Sequence, residues 1–178
     1  PSERRRKALI LFFAQLALNY AWSPIFFAAH DIRLAMIVIV LMLVLAAAAA
    51  GHVATSPETV ALLRDGTVPK GDVLAVARIA GIQAAKKTPE LLPLAHVIGV
   101  HGAVVDLEIT DEGVDITATV RTADRTGVEM EALTCVSVAA LALIDMVKAV
   151  DKLATVTDVR VTAKSGGRSG DWVEEPRG

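Results

Sequence analysis

The chain contains 178 residues, 53% of them hydrophobic, and its formal net charge at pH 7 is −2. This composition excludes a wholly disordered protein, and the lack of a basic excess argues against nucleic acid as a main partner. The single cysteine excludes an internal disulfide framework and a cysteine-rich zinc site. The chain begins with Pro1 rather than Met, so we expect a processed product or a piece of a longer chain.

Charged residues are distributed unevenly along the chain. Residues 1–50 hold seven of them, two acidic and five basic, whereas residues 51–178 hold 31. The second proportion, about a quarter, is usual for a soluble domain. The sequence therefore predicts a membrane segment over residues 1–50, a folded domain over residues 51–172 and a tail over residues 173–178.

Two apolar runs predict a transmembrane hairpin. Ala8–Ala29 contains 22 uncharged residues, which as a helix would extend about 33 Å and cross a bilayer core of about 30 Å. Leu34–Ala50 contains 17 residues, at the short end of the spanning range. Arg4–Lys7 should stay in the cytoplasm, because positively charged residues that flank a membrane span remain on the cytoplasmic side. Two spans would return the folded domain to the cytoplasm, whereas one span would leave it outside.

Polar and aromatic residues punctuate the first run. Gln15, Asn19 and Trp22 are four and three residues apart and share one helical face, where they would serve helix packing and an interfacial aromatic belt. The string QLALNYAWSPIFF also resembles the TspO/MBR family, over about residues 4–46. That family has five transmembrane helices and binds tetrapyrroles or sterols, whereas this chain has room for two at most.

Cap residues predict two helices at the front of the folded domain. Ser56 before Pro57 is typical of a helix N-terminus, and Gly66 is placed to end that helix. Asp72 is placed to cap a second helix, from about Val73 to Lys87.

The following residues predict strands and a long helix. Apolar residues alternate over 103–110 and again over 114–121, with a turn at 111–113, which is the pattern of a β-hairpin with one buried face. A helix is predicted from about Val128 to Val150, and a further strand around Val159–Ala163. Helices combined with an antiparallel hairpin indicate an α+β fold.

One face of the long helix carries a stripe that is polar at its ends and apolar in its middle: Glu131, Thr134, Val138, Leu141, Asp145 and Lys148. The first interpretation is an Asp145–Lys148 ion pair on a solvated edge, since residues three apart are neighbours on a helix. The second is an acid/base pair at the end of a buried face, near a subunit interface.

Other polar residues also admit two interpretations. Lys70-Gly71-Asp72 precedes a helix N-terminus, which is a natural anion site, but a simple turn has the same sequence. His96 follows an apolar turn and suits a hydrogen-bonded core histidine. Lys164–Gly167 could bind phosphate through backbone N–H groups, although it does not match a P-loop. The histidines lack metal-ligand spacing, so we expect no metal site, and Cys135 is expected to be a packing residue.

Three long strings carry a specific resemblance: KGDVLAVARIAGIQAAKKTPELLPLAH, TGVEMEALTCVSVAALALIDMVKAV and AKSGGRSGDW. They resemble the cyclic pyranopterin monophosphate synthase (MoaC) family of molybdenum cofactor biosynthesis, over about residues 51–172. The resemblance implies a ferredoxin-like antiparallel α+β fold, a hexamer built as a trimer of dimers, and no cofactor. It implies a phosphorus-oxygen lyase that converts 3′,8-cyclo-7,8-dihydro-GTP to cyclic pyranopterin monophosphate and releases pyrophosphate.

The same resemblance implies roles for particular residues. It implies three catalytic residues, Asp145, Lys148 and Lys70. It implies seven substrate-binding residues, Leu94, Ala95, His96, Glu129, Met130, Glu131 and Lys164. Lysines suit the triphosphate charge, and an Asp–Lys pair suits proton transfer during ring opening and cyclic phosphate closure.

The front of the domain departs from the family pattern. The family begins with a strand of Val-Asp-Val-Ser type and an active-site arginine before Ser56, whereas Leu41–Ala50 stands here without an arginine. We therefore expect the family's first strand to be lost, together with one phosphate contact. Ala95 and Val97 also replace a cysteine and a proline of the family's substrate segment.

Three hypotheses follow from these observations. The first is a lyase tethered to the membrane through residues 8–50, with its catalytic domain in the cytoplasm. The second is a TspO-like membrane module that binds a tetrapyrrole or sterol and has the C-terminal domain as a passenger. The third is an inactive fusion. We predict the lyase function, acting on a small nucleotide-derived substrate.

Overall fold

The computed structural model of this protein describes residue 17 and residues 45–124, 126–166 and 170–175. Within those ranges the chain forms nine elements in the order β1 (Leu45–Ala54), α1 (Pro57–Asp65), α2 (Val73–Ala85), α3 (Thr88–Leu91), β2 (Gly102–Ile109), β3 (Gly113–Thr122), α4 (Glu129–Val147), β4 (Thr155–Ser165) and β5 (Trp172–Val173).

The strands form one antiparallel sheet in the order β2-β3-β1-β4-β5. Apart from the short strand β5 and helices α1 and α3, the chain runs β-α-β-β-α-β, which is the ferredoxin-like order. Helices α2 and α4 pack against each other and α4 packs on the sheet. The predicted α+β fold, with its antiparallel hairpin of β2 and β3, is confirmed.

Strand β1 overturns two expectations about the front of the domain. It pairs with β3 from Leu45↔Thr122 to Ala54↔Gly113 and with β4 on its other side, so it lies in the middle of the sheet. The expected loss of the first strand is therefore wrong. So is a membrane span that continues to Ala50, because residues 45–50 belong to this strand.

The alanine run of β1 suits a central strand for a physical reason. Alternate residues face the helix layer and are buried, with Ala47 and Ala49 only 2% and 1% exposed. Small side chains there let a helix lie close to the sheet, whereas five alanines provide little of the apolar surface that a bilayer span requires. The predicted span Ala8–Ala29 and residues 34–44 of the second run lie outside the described ranges, residue 17 excepted.

The predicted helix caps are confirmed. Ser56 Oγ accepts a hydrogen bond from the Thr59 N–H at 3.3 Å, and Asp72 Oδ1 accepts one from the Ala75 N–H at 2.9 Å. Gly66 ends α1 with φ of 65°, a left-handed conformation that glycine adopts without steric cost. Helix α2 ends at Ala85, two residues before the predicted end.

Helix α4 is held close to its neighbours through two glycines. A Cβ on Gly51 of β1 would lie 2.7 Å from Val136 Cγ1, and one on Gly81 of α2 would lie 2.9 Å from the Cys135 carbonyl oxygen. Cys135 is fully buried, as expected of a packing residue. Of the helices in the described ranges, α4 alone has the length and apolar composition of a membrane span, but it is 50% buried and forms the domain core.

Asp151 joins the end of α4 to the junction between β1 and α1. Its carboxylate accepts hydrogen bonds from Thr55 Oγ1 at 2.6 Å, from the Ser56 N–H at 2.8 Å and from the Leu153 N–H at 2.8 Å. These hydrogen bonds, that of Thr55 foremost, lower the pKa of Asp151 below its ordinary value. The residue is 8% exposed, so few water molecules can replace these contacts.

We expect Asp151→Ala to destabilise the domain by about 1–3 kcal/mol, because it leaves buried donors unsatisfied. A depressed carboxyl pKa contributes stability above the unfolded pKa of about 3.9, and this contribution is lost as pH falls through the folded value. Asp151→Asn should therefore flatten the loss of stability below about pH 4. Urea unfolding at several pH values checks both variants, and a parent-like pH dependence in Asp151→Asn would contradict this assignment.

Candidate active site

The C-terminal end of α4 holds a carboxylate between two lysines. Asp145 Oδ1 lies 2.7 Å from Lys148 Nζ, and Asp145 Oδ2 lies 2.8 Å from Lys70 Nζ. Lys70 Nζ also donates a hydrogen bond to the Asp145 carbonyl oxygen at 2.7 Å. We call these three residues the Asp145 cluster. It contains the predicted i, i+3 pair of Asp145 and Lys148, and Lys70, the third predicted catalytic residue, lies in contact with that pair.

A tight turn places Lys70 in this cluster. The residue lies between α1 and α2, and the Gly71 N–H donates a hydrogen bond to the Val68 carbonyl at 2.9 Å. Gly71 has φ of 95°, which side-chain-bearing residues rarely adopt. The turn and the Asp72 cap thus direct Lys70 across to the end of α4. The simple-turn interpretation is confirmed, and the anion site at this helix N-terminus stays a prediction.

Hydrogen bonding keeps Asp145 ionised although the cluster is exposed to solvent. The hydrogen bond from Lys148, followed by that from Lys70, lowers the pKa of Asp145 to about 2. A carboxylate with so low a pKa is a weak proton acceptor near neutral pH. In this arrangement Asp145 holds the ammonium groups of Lys70 and Lys148 beside each other, which suits the binding of an anion.

A second cluster lies at the N-terminal end of α4. Lys164 Nζ of β4 lies 3.1 Å from Glu129 Oε1, and the two side chains are 18% and 27% exposed. Lys164 faces the helix layer because it pairs with Ala47, which is buried beneath that layer. Together with Glu131 and His96, these residues form the Glu131 cluster.

Glu131 is the most buried carboxylate of the site, at 3% exposure. Burial raises the pKa of Glu131, opposed by a hydrogen bond with its own backbone N–H; the charge of Glu129 raises it further and that of His96 lowers it. Because the charges of Glu129 and His96 both shift the pKa of Glu131, both residues lie within electrostatic range of its carboxyl group. The arrangement combines a buried carboxyl group of raised pKa with an imidazole and an ammonium group.

The predicted substrate segment is exposed. Leu94 is 95% exposed and His96 also faces solvent, so the alternative interpretation of His96 as a core histidine is wrong. The Ala95 N–H donates to the Leu92 carbonyl at 3.0 Å, and Thr122 Oγ1 donates to the Gly99 carbonyl at 2.6 Å. The first contact is internal to this loop of apolar, solvent-facing residues, and the second ties the loop to the end of β3. Met130, at 43% exposure, lies at the nearby start of α4.

The two clusters do not meet within one chain. Glu131 and Asp145 are fourteen residues apart on one straight helix, which corresponds to about 21 Å at 1.5 Å per residue. The stripe between them changes from buried at Glu131 to exposed at Leu141, which is 60% exposed. The predicted acid/base pair therefore lies at the exposed end of the stripe, and the buried end belongs to Glu131.

The predicted phosphate loop is only partly described. At its described end the Gly166 N–H donates to Asp171 Oδ1 at 2.7 Å, so this backbone group already binds a carboxylate. Residues 167–169 lie outside the described ranges. Across residues 45–124, 126–166 and 170–175, no group of three or more His, Cys, Asp or Glu side chains could hold a metal ion.

The sequence did not predict two features of the folded domain. The first is the Lys164–Glu129 pair, since both residues were assigned to substrate. Their separation of 35 positions gave no local signal. The second is a cleft of about 690 Å³ on the helix-free face of the sheet, where His52 Nδ1 lies 2.6 Å from Asp115 Oδ1. None of the predicted site residues lines that cleft.

Several known proteins are similar to this chain over 123 to 129 residues. The cyclic pyranopterin monophosphate synthase of Streptomyces coelicolor is 64% identical over 123 residues, which cover 69% of this chain and 72% of that protein. That of Nocardioides sp. is 63% identical over 126 residues (69% and 77%). That of Chloroflexus aurantiacus is 55% identical over 129 residues (71% and 78%).

Two family models match parts of the chain. The TspO/MBR family model matches residues 1–64, about a third of the chain, and records a similarity of that part. The MoaC family model matches residues 43–167, well over half of the chain, and its start agrees with the start of β1. The chain therefore belongs to the MoaC family.

Proposed function

We propose that this protein is a cyclic pyranopterin monophosphate synthase, a phosphorus-oxygen lyase of molybdenum cofactor biosynthesis. It would convert 3′,8-cyclo-7,8-dihydro-GTP to cyclic pyranopterin monophosphate and release pyrophosphate. The observation that supports this most directly is Asp145 held between Lys70 and Lys148, in a domain 55–64% identical to the three synthases above. These are the three residues to which the family resemblance assigns catalysis.

The Asp145 cluster suits the phosphate chemistry of this reaction. Closing the cyclic phosphate forms a bond between a sugar oxygen and the α-phosphorus and breaks the bond from that phosphorus to the pyrophosphate oxygen. Negative charge then develops on the leaving pyrophosphate, where two ammonium groups would stabilise it. In this proposal Asp145 orients both lysines, and the proton of the attacking sugar hydroxyl passes to the leaving pyrophosphate, whose remaining negative charge the two ammonium groups neutralise. Strand β1 contains no arginine, and in this proposal lysines make the phosphate contacts.

The Glu131 cluster suits substrate binding. Lys164 would meet a further phosphate charge, and the exposed segment Leu94–His96 with Met130 would cover the ring system. The carboxyl group of Glu131, buried and of raised pKa, would hydrogen-bond a polar ring edge. We assign Leu94, Ala95, His96, Met130, Glu131 and Lys164 to substrate binding.

We propose that a second copy of the chain completes the site. The reacting bonds of one nucleotide-sized molecule cannot lie against both ends of α4, about 21 Å apart. Two α4 helices packed antiparallel about a two-fold axis would place Glu131 of one protomer beside Asp145 of its partner. Val138 is midway between these positions, and the two helices of this layer expose apolar residues: Leu141 on α4, and Val76 and Ile79 on α2. A hexamer would be a trimer of such dimers.

We propose that the N-terminal part attaches the domain to the membrane on its cytoplasmic side. The TspO/MBR similarity and the uncharged run Ala8–Ala29 support attachment. Only 11 residues separate Arg33 from β1, about 17 Å as a helix and too short for a second span. A single span with Arg4–Lys7 inside would move the domain away from a cytoplasmic nucleotide, so attachment without translocation is the arrangement that allows turnover.

Turnover tests the proposed reaction. We expect the purified full chain to release pyrophosphate and cyclic pyranopterin monophosphate from 3′,8-cyclo-7,8-dihydro-GTP, and Asp145→Asn to lower kcat/KM roughly 100-fold or more. Because the pKa of Asp145 is about 2, the parent's pH–rate profile should show no inflection from this residue between pH 5 and 9. Asp111→Asn, which removes the exposed Arg64 ion pair, is the matched control. No product from folded parent protein would reject the function.

Cysteine cross-linking tests the antiparallel dimer. Val138→Cys should form a disulfide between two chains under mild oxidation, because a residue on a two-fold axis faces its own copy at bonding distance. The parent chain, with buried Cys135 alone, and Val104→Cys on β2 should not cross-link at a comparable rate. Equal rates for both variants, or a monomeric parent in light scattering, would contradict the dimer.

Fractionation tests the membrane attachment. We expect the full chain to sediment with membranes after carbonate washing, and Leu16→Arg to release a large share of it, because a charge in an apolar run disfavours insertion by about 2.5–3.5 kcal/mol. Leu153→Arg adds the same charge at an exposed position of the domain and should leave sedimentation unchanged. Cleavage of the domain by protease added outside spheroplasts would exclude the cytoplasmic placement.

A further inference from the structure

Glu129 makes a contact that a substrate-binding role does not explain. It is the first residue of α4, and its Oε1 accepts a hydrogen bond from Lys164 Nζ at 3.1 Å. Both side chains are largely buried, at 27% and 18% exposure. A carboxylate turned toward this ammonium would repel the phosphates of the proposed substrate, whereas Lys164 would attract them.

The backbone beside Glu129 is shaped around its carboxylate. A Cβ placed on Gly127 would overlap Glu129 Oε2 and lie 2.8 Å from its carboxyl carbon. Glycine at position 127 thus leaves room for the carboxylate to fold back over the chain at the start of the helix. Gly127 is not among the glycines with positive φ, so alanine there would leave the backbone unstrained but would displace the flexible Glu129 carboxylate from its place.

A carboxylate in this position restricts the flexible Lys164 side chain. The Lys164 side chain has four rotatable bonds, and an unrestrained ammonium would lose entropy each time it met a phosphate. A partly buried, charge-assisted hydrogen bond restricts it beforehand. Glu129 and Lys164 belong to different elements, α4 and β4. Their contact therefore also fixes the end of the strand relative to the start of the helix.

We propose that Glu129 is a positioning residue, which holds the Lys164 ammonium at the phosphate-binding side of the site while Gly127 seats its carboxylate. This inference rests on the proposed function, in which Lys164 binds phosphate. It reassigns Glu129 from direct substrate contact to acting through Lys164.

A double-mutant cycle tests whether Glu129 acts through Lys164. Glu129→Gln keeps the side-chain volume and removes the charge, and we expect kcat/KM to fall roughly tenfold, mostly through a higher KM. In a Lys164→Ala background the same change should cost little more, since the group that it positions is gone. Gly127→Ala should reproduce the loss with Glu129 intact. Glu174→Gln, which removes the partner of Arg160 at β5, is the matched control.

Chemical labelling of Lys164 tests the geometry without turnover. We expect an amine-acylating reagent, followed by mass spectrometry, to modify Lys164 severalfold faster in Glu129→Gln and in Gly127→Ala than in the parent. Thermal melting near that of the parent would show that both variants fold. Unchanged Lys164 labelling overturns the inference whatever the turnover, as does full additivity of Glu129→Gln with Lys164→Ala.

The same experiments separate two kinds of failure. A parent chain that neither turns over substrate nor binds pyrophosphate in calorimetry would remove the proposed function, and with it any role for a positioned Lys164. An active parent with Glu129→Gln as active as the control would leave the function standing and reject the role of Glu129 alone.

Discussion

The close approach of α4 to the sheet and to α2 is the constraint on which the site depends. Gly51 lies beneath Val136, and Gly81 lies against the backbone at Cys135, so neither position has room for a side chain. The alanines on the core side of β1 have the same effect over a longer distance. Close packing fixes the helix in position and orientation, because interiors at this density resist small displacements.

A rigid central helix explains why polar residues at its two ends can be placed with precision. Asp145 and Lys148 lie at its C-terminal end, where Lys70 reaches them from a turn that Gly71 makes possible. At the other end, Glu129 and Glu131 face β4 and the loop of His96. Each cluster joins residues from two or three elements, so both depend on the same packing. The environments differ: the Asp145 cluster is exposed and charged, whereas Glu131 is buried and its pKa is raised by that burial.

Local signals predicted the features that depend on neighbouring residues, and failed where the determining contact was distant. The caps at Ser56 and Asp72 and the β2–β3 hairpin were predictable, because each depends on spacings of a few residues. Strand β1 was not, since an alanine run shows no alternation even when alternate residues are buried. The Asp145–Lys148 pair followed from helical spacing, whereas its link to Lys70, 75 positions away, required the fold or the family resemblance.

The central place of β1 also bears on how the two parts of the chain are joined. The TspO/MBR and MoaC matches overlap over residues 43–64, and that overlap contains β1 and all of α1 except its last residue. Strand β1 pairs with β3 and β4, and Asp151 ties the junction between β1 and α1 to the end of α4. Both β1 and α1 therefore serve the MoaC domain, and the N-terminal part joins it at the start of its central strand. An attachment at that point acts on the middle of the sheet, so a membrane segment there must leave residues 45–54 free to pair on both sides.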